Sequence, residues 1–499
     1  MTVEPVTTEL ITSELAIILA ILIPLIGAVL IALTGKKPNL REGMSLLTSL
    51  ALLTTVLSLL PTVLAGNQPS VTLLDIAPGL SIKFDLEPLG MLFACVAALL
   101  WPINTLYSIG YMRGNNEENQ TRFYICFAIA LSSTMGIAMA GNLLTLFICY
   151  ELLTLSTYPL VTHKGNEAAL KAGRVYLGIL LSTSIGFLLL AILWTWHLTG
   201  TLDFKAGGIL AGKVAGPELI ILLFLYMYGI GKAALMPIHR WLPAAMVAPT
   251  PVSALLHAVA VVKAGVFTVV KIVVYVFGLD LLKGSAGADW ILWLAGFTII
   301  VASIIALRQD NLKRRLAYST ISQLSYVILA IFILAPLSTA AAALHIAAHA
   351  FGKITLFFSA GSIYTAANKT NISQLNGIGY RMPWTMTAFS IGAISMIGLP
   401  PTAGFLSKWY MLMGAFQEQQ LIAVLVIIAS TLLNAAYFIP IIYAAWFKQP
   451  EKEANDLTHG EAPWAIVFAL MITATFTLLL FFFPDVPLEL ATSLTGGQP

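Results

Sequence analysis

Apolar residues occur along this chain in long runs separated by short polar connections. About fourteen runs are long enough to cross a bilayer, which takes roughly 20 residues in a helix. These runs lie near residues 14–34, 44–65, 88–112, 122–140, 142–161, 169–197, 217–236, 250–277, 289–308, 316–335, 338–366, 384–413, 420–446 and 463–484. The pattern predicts an all-α polytopic membrane protein, and an even number of crossings predicts that both termini lie on one side of the membrane.

The composition agrees with this class of protein. Hydrophobic residues make up 59% of the 499 residues and charged residues only 10%, with a mean hydropathy of +0.89. Soluble proteins carry roughly a quarter charged residues. No connection reaches the roughly 50 residues of a small folded domain, so residues 1–499 are predicted to form a single domain in the lipid bilayer. A net charge of +3 gives no reason to expect nucleic acid as a partner.

The basic residues predict the orientation. Seventeen of the 26 Lys and Arg residues lie in alternate connections, whereas the connections on the opposite side hold only Lys83, Lys205, Lys213 and Lys283. Connections rich in Lys and Arg remain in the cytoplasm. Both termini are therefore expected on the outer side of the membrane.

Five basic residues and one carboxylate remain within the apolar runs. They are Glu151, Lys232, Lys263, Lys271, Lys353 and Lys408. A charge at the bilayer centre costs at least about 2.5–3.5 kcal/mol, so such groups normally face a polar interior and pair with one another. Glu151 alone could be a structural carboxylate satisfied by a neighbouring helix or by one lysine. Five lysines exceed that requirement, so the set indicates a function.

Two of the lysines lie beside interruptions of their helices. Glycine and proline surround them, at Gly229, Gly231, Pro237, Pro243, Pro249 and Pro251 near Lys232 and at Gly398, Pro400, Pro401 and Gly404 before Lys408. Proline prevents a continuous helix, and broken helices at corresponding places in two halves are typical of transporters with inverted repeats. The unwound carbonyls can hold the charged form of a lysine that burial disfavours, so such a lysine can load and release a proton.

Histidines supply further titratable groups. His345, His349 and Lys353 are spaced i, i+4, i+8 and form one stripe on a helix. Two histidines at i, i+4 also suit zinc, but no acidic residue accompanies them as in the H-E-x-x-H helix, so neither a metal nor a cofactor is expected. His257 lies one helix after Lys232. The stripe favours a row of protonatable groups.

Other polar residues are expected to support this row. Thr154 and Tyr158 follow Glu151 at i+3 and i+7 and are predicted to hydrogen-bond its carboxylate. Lys271 lies near the outer end of its run, from which its amine can reach the membrane surface, and ranks lowest. The predicted proton relay runs through Glu151, Lys232, Lys263 or His257, then His345, His349, Lys353 and finally Lys408.

Several stretches resemble a known family. They are "WLPAAMVAPTPVSALLHA" (Trp241 to Ala258), "LKRRLAYSTISQLSY" (Leu312 to Tyr326), "HIAAHAFGKITLFFSAGSI" (His345 to Ile363) and "GLPPTAGFLSK" (Gly398 to Lys408). Within about residues 85–445 the chain resembles the antiporter-like membrane subunits of respiratory complex I, membrane hydrogenases and Mrp-type sodium/proton antiporters. "HAVAVVKAGVFTVVKI" and "GNEAALKAGRVYLG" look most like the D-type subunit of the Mrp-type antiporter, although the relatives share the same core.

The resemblance implies a particular architecture. Helices 1–3 lie at about 14–112, a first five-helix repeat at about 122–277, an inverted second repeat at about 289–446, and helix 14 at about 463–484, with helices 7 and 12 broken. It also implies a pairing of Glu151 on helix five with Lys232 on helix seven. Lys263 becomes the helix-eight lysine and Lys408 the lysine of the second break. Tyr150 stands where many relatives have tryptophan, which leaves the packing around the carboxylate open.

The sequence is compatible with three functions. The resemblance favours a proton-translocating subunit of a multisubunit Na⁺/H⁺ antiporter in the inner or plasma membrane of a prokaryote, a transporter subunit and not an enzyme. The second possibility is a proton-pumping subunit of a complex I-like quinone oxidoreductase or hydrogenase, whose redox cofactors would sit in other subunits, since this chain has no Cys cluster or Gly-rich nucleotide loop. A membrane acyl or glycosyl transferase is less favoured, because the titratable groups lie mid-span.

Overall fold

Helices make up most of the chain in a computed structural model that describes residues 4–449 and 460–495. The first half comprises α1 (Glu4–Leu33), α2 (Pro38–Leu64), β1 (Ser70–Ala77), β2 (Leu80–Asp85), α3 (Pro88–Gly114), α4 (Gln120–Ala138), α5 (Leu143–Val161), α6 (Glu167–Thr199), α7 (Gly216–Gly229) and α8 (Thr250–Phe277). The second half comprises α9 (Ala286–Leu307), α10 (Leu312–Phe332), α11 (Pro336–Ala367), α12 (Pro383–Ile397), α13 (Ala403–Gln417), α14 (Leu421–Phe447), α15 (Trp464–Phe482) and α16 (Asp485–Thr492).

Twelve helices of the described residues are long and apolar enough to cross a membrane. Two more crossings are interrupted. The seventh consists of α7 followed by irregular backbone and short turns up to residue 247, and the twelfth consists of α12 and α13 with residues 398–402 between them. The all-α polytopic class is confirmed, and the breaks fall in the seventh and twelfth crossings as predicted. The inverted relation of the two halves stays a prediction.

The interior of the bundle is formed by a few helices. Every residue in the apolar window of α11 is buried and nearly every one in α8, whereas only about a third of those in α1 and α2 are. These two interior helices carry most of the buried bases, namely His257, Lys263 and Lys271 on α8 and His345, His349 and Lys353 on α11. These six bases therefore lie in the protein interior, whereas Glu151 is only partly buried.

A β-hairpin covers one end of the bundle. Strand β1 pairs antiparallel with β2, with Ser70 opposite Asp85. One isolated bridge, Phe84 with Ala140, joins the hairpin to the connection before α5, and a second, Asn142 with Asp203, joins that connection to the one after α6. We call this end, which carries Lys83, Asp85 and Asp203, the hairpin face. The positive-inside pattern predicts that it is the outer side.

The break in the seventh crossing packs directly against α8. A Cβ atom added at Gly265 would lie 2.4 Å from the carbonyl carbon of Lys232 and 2.4 Å from the backbone nitrogen of Ala233. Only glycine permits this approach of backbone to backbone. The close contact fixes the turn that carries Lys232 against the helix that carries Lys263.

Candidate functional site

Lys232 lies in a short 3₁₀ turn, Gly231–Ala233, in the break of the seventh crossing, and it is completely buried. Its ammonium Nζ donates to the carbonyl oxygen of Tyr150 at 2.7 Å and to Thr154 Oγ1 at 2.6 Å. The same nitrogen lies 3.1 Å from the centre of the Tyr150 ring, a position in which the ring face attracts a cation. The backbone N–H of Lys232 donates to the Tyr150 hydroxyl at 3.1 Å. Helix α5 thus holds both the backbone and the ammonium of this lysine.

The expected direct pairing of Glu151 with Lys232 is wrong for this structure. Among the described residues no ion pair within 4.0 Å involves Glu151, and neither of its carboxylate oxygens has a hydrogen-bond partner. Successive residues of a helix point about 100° apart, so Tyr150 and Thr154 face the lysine while Glu151 points away from that contact, with both carboxylate oxygens buried. The two charges still interact electrostatically.

The predicted supports of Glu151 also differ from expectation. Thr154 bonds Lys232 and donates to the Tyr150 carbonyl at 3.2 Å instead of bonding the carboxylate. Tyr158 is partly buried near Gly173 on α6 and does not bond Glu151, whose oxygens are without partners. Within the described part of the chain, the Glu151 carboxylate therefore has no direct hydrogen bond to either predicted support.

Lys263 and His349 meet at the centre of the bundle. Nζ of Lys263 lies 2.6 Å from Nδ1 of His349, and both side chains are buried. His349 Nε2 has no hydrogen-bond partner among the described atoms. The pair joins α8 to α11, and thus the two halves of the chain. A lysine amine and an imidazole at this distance can exchange a proton directly.

His345, the first histidine of the stripe, is linked to Lys408 through hydrogen bonds. The ring of His345 lies 6.0 Å from that of His349, and its nitrogens contact Ser407 Oγ at 2.8 Å and Gln323 Oε1 at 3.0 Å. Gln323 in turn donates to the Met396 carbonyl at 3.2 Å. Sequence reasoning did not identify Gln323 or Ser407, although a buried polar residue in an apolar run is the signal that could have found them.

The carbonyl of Met396 is the meeting point of this network. It accepts hydrogen bonds from Lys408 Nζ at 2.9 Å, Gln323 Nε2 at 3.2 Å and Asn434 Nδ2 at 3.2 Å. Lys408 also donates to the next carbonyl, that of Ile397, at 3.0 Å. These carbonyls lack helical partners because α12 ends at Ile397, so the break supplies the acceptors that hold the buried ammonium.

Lys353, the last member of the stripe, is linked to the Met396 carbonyl through a chain of hydrogen-bonded side chains. Its Nζ donates to Ser319 Oγ at 2.7 Å and to the Leu316 carbonyl at 3.3 Å. Ser319 contacts the Tyr437 hydroxyl at 2.9 Å, and Tyr437 donates to Asn434, which bonds Met396. Lys353 and Lys408 are therefore joined through side chains of α10 and α14 that the sequence pattern did not reveal.

His257 lies close to the stripe of His345, His349 and Lys353 but forms no hydrogen bond with it. It lies in a π-helical turn, Leu255–Val259, with its ring 4.6 Å from that of Phe357, and both ring nitrogens are buried without partners. It interacts electrostatically with His349 and Lys353. Lys263, and not His257, is thus the group of α8 that contacts the stripe.

The prolines singled out in the sequence shape the breaks. Pro237 lies in the turn after Lys232, and Pro249 and Pro251 stand at the start of α8, where proline is compatible with a helix. Pro400 and Pro401 lie between α12 and α13. Pro237, Pro400 and Pro401 therefore lie in the interrupted backbone of the seventh and twelfth crossings, whereas Pro249 and Pro251 mark the start of α8.

The expectation that the amine of Lys271 reaches the membrane surface is wrong. It is fully buried, and its Nζ lies 2.8 Å from Glu87 Oε1 and 2.7 Å from the Ala140 carbonyl. Glu87 immediately precedes α3 and caps it by accepting from the backbone N–H of Gly90 at 2.8 Å. Sequence reasoning missed Glu87, because it lies in a polar connection outside the apolar runs.

Together these features define an all-α membrane protein with an interior row of titratable side chains, in which Lys232 donates to a carbonyl of α5 and Lys408 to carbonyls of the broken twelfth crossing. Comparison with known proteins agrees with that class. Residues 140–434 match the family model described as NADH:quinone oxidoreductase/Mrp antiporter, TM. The chain belongs to this family of antiporter-like membrane subunits.

Its relatives come from both branches of the family. NADH-quinone oxidoreductase subunit N of Desulforudis audaxviator is 31% identical over 468 residues, which cover 92% of each chain. The A/B subunit of a probable K(+)/H(+) antiporter of Rhizobium meliloti is 30% identical over 405 residues, which cover 78% of this chain and 39% of that protein.

Solved structures share the fold. A chain of the Mrp complex from Dietzia sp. DQ12-45-1b superposes with a TM-score of 0.86 at 19% identity and 96% coverage of both chains. A chain of the membrane-bound sulfane sulfur reductase, an archaeal respiratory membrane complex, superposes with a TM-score of 0.83 at 25% identity and 97% coverage of both. These relatives and structural neighbours are subunits of multisubunit membrane assemblies.

Proposed function

We propose that this chain translocates protons as one subunit of a multisubunit monovalent cation/proton antiporter of the Mrp type. One observation carries the proposal: the 2.6 Å contact between Lys263 and His349 joins the two halves of the chain at the bundle centre. Beyond it, buried polar groups continue through His345 and Gln323 to the carbonyl that holds Lys408. Burying such a row in a membrane is costly unless the row has a function.

Proton transfer along the row follows from the geometry. An N–H bond of the Lys263 ammonium breaks as its proton passes to Nδ1 of His349, which leaves a neutral amine and an imidazolium. His345 and Gln323 then connect the imidazolium electrostatically to Lys408. Lys232 is held by Tyr150 and Thr154, so the charge of Glu151 influences it through space and not through a direct bond. Protonation of Glu151 would therefore change the proton affinity of Lys232 and couple successive steps.

The proposal includes the setting of the protein. Both termini and the hairpin face would lie on the outer, periplasmic side of a prokaryotic inner or plasma membrane. Partner subunits would complete the complex, and Na⁺ is the coupled cation that the antiporter assignment favours. The unpartnered oxygens of Glu151 support a neighbouring subunit or a transferred proton as its missing partner.

A second function is favoured by one comparison. The quinone oxidoreductase subunit N relative aligns with 92% of both chains, so this chain would equally suit a proton pump within a complex I-like assembly. In that case redox chemistry in partner subunits would drive the same row of side chains.

Transport in membrane vesicles tests the main proposal. The complete complex is expressed in a host that lacks its own antiporters, and a pH-sensitive dye reports proton movement on addition of Na⁺, K⁺ or Li⁺. Glu151→Gln and Lys263→Met should each abolish the response, whereas Lys283→Met, in an exposed ion pair with Glu418, should leave it unchanged. Full activity of both Glu151→Gln and Lys263→Met would refute the proposal. Proton movement that responds to quinone turnover and to no cation would favour the second function.

A further inference from the structure

The ion pair between Lys271 and Glu87 lies outside the row of groups described above. It is almost completely enclosed, with 0% of the Lys271 side chain and 7% of the Glu87 side chain exposed. The Lys271 ammonium is also within 4.6 Å of the centre of the Phe204 ring. A buried ion pair is weak evidence for stability, because desolvating two charges often costs as much as their attraction returns. The retention of this pair therefore calls for another reason.

Carboxylates continue from this pair to the surface of the hairpin face. Asp85, two residues before Glu87, has 27% of its side chain exposed, and Asp203 has 48%. Lys83 lies between them, with Nζ 4.0 Å from Asp85 Oδ2 and 3.8 Å from Asp203 Oδ2. Exposure thus rises stepwise from Lys271 to Glu87, Asp85 and Asp203. Such a series connects an interior base to water.

Asp85 has the properties of an intermediate in this series. Its Oδ1 is buried without a hydrogen-bond partner. Burial raises the pKa of its carboxyl, while Lys83 and Lys271 oppose that rise. Asp85 also interacts electrostatically with Glu87 and Asp203. A carboxyl with an open oxygen between two others can accept a proton from one and release it to the next.

Along α8 the pair lies about two turns from the central row. Lys271 and Lys263 both lie on α8, eight residues and thus about 12 Å apart. At an effective dielectric constant of about 20, one added charge at that distance changes the proton affinity of the other site by about tenfold. A proton added to the pair of Glu87 and Lys271 would therefore lower the proton affinity of Lys263 without a direct contact.

We propose that Glu87 and Lys271 form a proton port on the hairpin face, which exchanges protons with water through Asp85 and Asp203 and is coupled to Lys263 of the central row by its charge alone. On exit, an N–H bond of the Lys271 ammonium breaks and an O–H bond forms on Glu87, which leaves a neutral amine and a neutral acid. The acid then passes its proton to Asp85 or water and regains its negative charge. Entry is the reverse sequence. This port rests on the proposed function, because its charge acts on the same central row.

The decisive variants are Glu87→Gln and Glu87→Asp in the complete complex. Glutamine keeps an oxygen that can cap α3 and contact Lys271 but cannot carry the proton, whereas aspartate keeps the carboxyl group. We expect Glu87→Gln to lower the rate of proton transport by at least about tenfold, as for loss of a proton-transfer group, and to lower the melting temperature, because the buried Lys271 ammonium loses its counter-charge. Glu87→Asp should retain more transport than Glu87→Gln. Transport by Glu87→Gln at the rate of the unmodified complex would overturn the port.

A double variant separates transport from folding. Glu87→Leu with Lys271→Met removes both charges and leaves no unpaired ion, so it should assemble even where a single variant does not. Assembly at normal levels with transport still lost supports the port, whereas assembly with normal transport overturns it. Glu151→Gln is measured in parallel: if it abolishes transport while the double variant transports normally, the port fails and the proposed function stands. If Glu151→Gln and Lys263→Met transport normally, the proposed function fails.

Discussion

The ammonium of Lys232 lies 2.7 Å from the carbonyl oxygen of Tyr150 and 3.1 Å from the centre of the Tyr150 ring. The adjacent Glu151 does not bond it. The lysine charge is therefore stabilised by a backbone dipole and an aromatic face, and the neighbouring carboxylate acts on it at longer range. Helix α5 therefore holds Lys232 in place without a direct bond from Glu151.

Tyr150 should anchor the turn that carries Lys232. Its hydroxyl accepts the backbone N–H of Lys232 at 3.1 Å. Tyr150→Phe removes this acceptor from a buried donor, a loss that costs about 1–3 kcal/mol, so we expect a lower melting temperature of the purified complex together with slower transport. Tyr443→Phe, at a residue that is 54% exposed, is the matched control and should change neither. An unchanged melting temperature in Tyr150→Phe would show that the hydroxyl is dispensable.

The two buried histidines nearest the centre should differ in importance. His349 lies 2.6 Å from Lys263, whereas both nitrogens of His257 lack partners. We expect His349→Gln to slow proton transport by about 100-fold, in the range for loss of a proton-transfer group, and His257→Gln to slow it by less than about tenfold. Dye-based transport rates in vesicles with equal amounts of complex measure both. A larger effect at His257 would mean that protons pass through it and not through the contact with Lys263.

The sequence was sufficient to predict the membrane crossings and the buried lysines, because insertion of a charge into an apolar run carries a cost that composition alone reveals. Glycine and proline likewise located both breaks. Contacts between helices were not predictable, because they depend on how each helix is rotated about its axis. Glu151 therefore turned out not to pair with Lys232. Glu87, which lies 184 positions before Lys271, appeared to be an ordinary residue of a polar connection.

Tyr437 should matter because it joins Lys353 to the carbonyl network around Lys408. Its hydroxyl contacts Ser319 at 2.9 Å and donates to Asn434. Tyr437→Phe breaks this link without changing the ring, and we expect a reduced transport rate in vesicles. Tyr226→Phe is a fair comparison, since Tyr226 is equally buried and lies outside the row. Its hydroxyl is 2.6 Å from Thr195 Oγ1. Equal effects of the two substitutions would assign Tyr437 a role in packing alone.

Gly265 should be intolerant of a side chain. The Cβ atom of Gly265→Ala would stand 2.4 Å from backbone atoms of Lys232 and Ala233, which cannot rotate away. Overpacking of this kind typically costs about 1–3 kcal/mol, so we expect less assembled complex and a lower melting temperature. Gly178→Ala, on α6 with no atom within 4 Å of the added carbon, should be neutral or slightly stabilising. Normal stability of Gly265→Ala would mean that the seventh crossing can move away from α8.

His163 should make the stability of the protein depend on pH. It lies in the turn after α5, only 4% exposed, with its ring packed edge-on against Phe123 at 6.0 Å. Burial, assisted by the charge of Arg122, lowers its pKa from 6.5 to about 4. Because the folded state resists protonation, the unfolded state binds more protons between these values, and the free energy of unfolding must fall as the pH falls from 6.5 toward 4.

The measurement that checks this is a melting curve of the purified complex at several values between about pH 4.5 and 7, the window in which the unfolded chain takes up the proton first. His163→Gln should lose less of its melting temperature on acidification than the unmodified protein, since its side chain takes up no proton. Other groups, such as Glu117, whose pKa burial raises, contribute to both proteins and cancel in the comparison. His197→Gln, at an exposed histidine, should melt like the unmodified protein at every pH. Parallel melting curves for His163→Gln and the unmodified protein would mean that His163 is protonated as easily in the folded protein as in the unfolded chain.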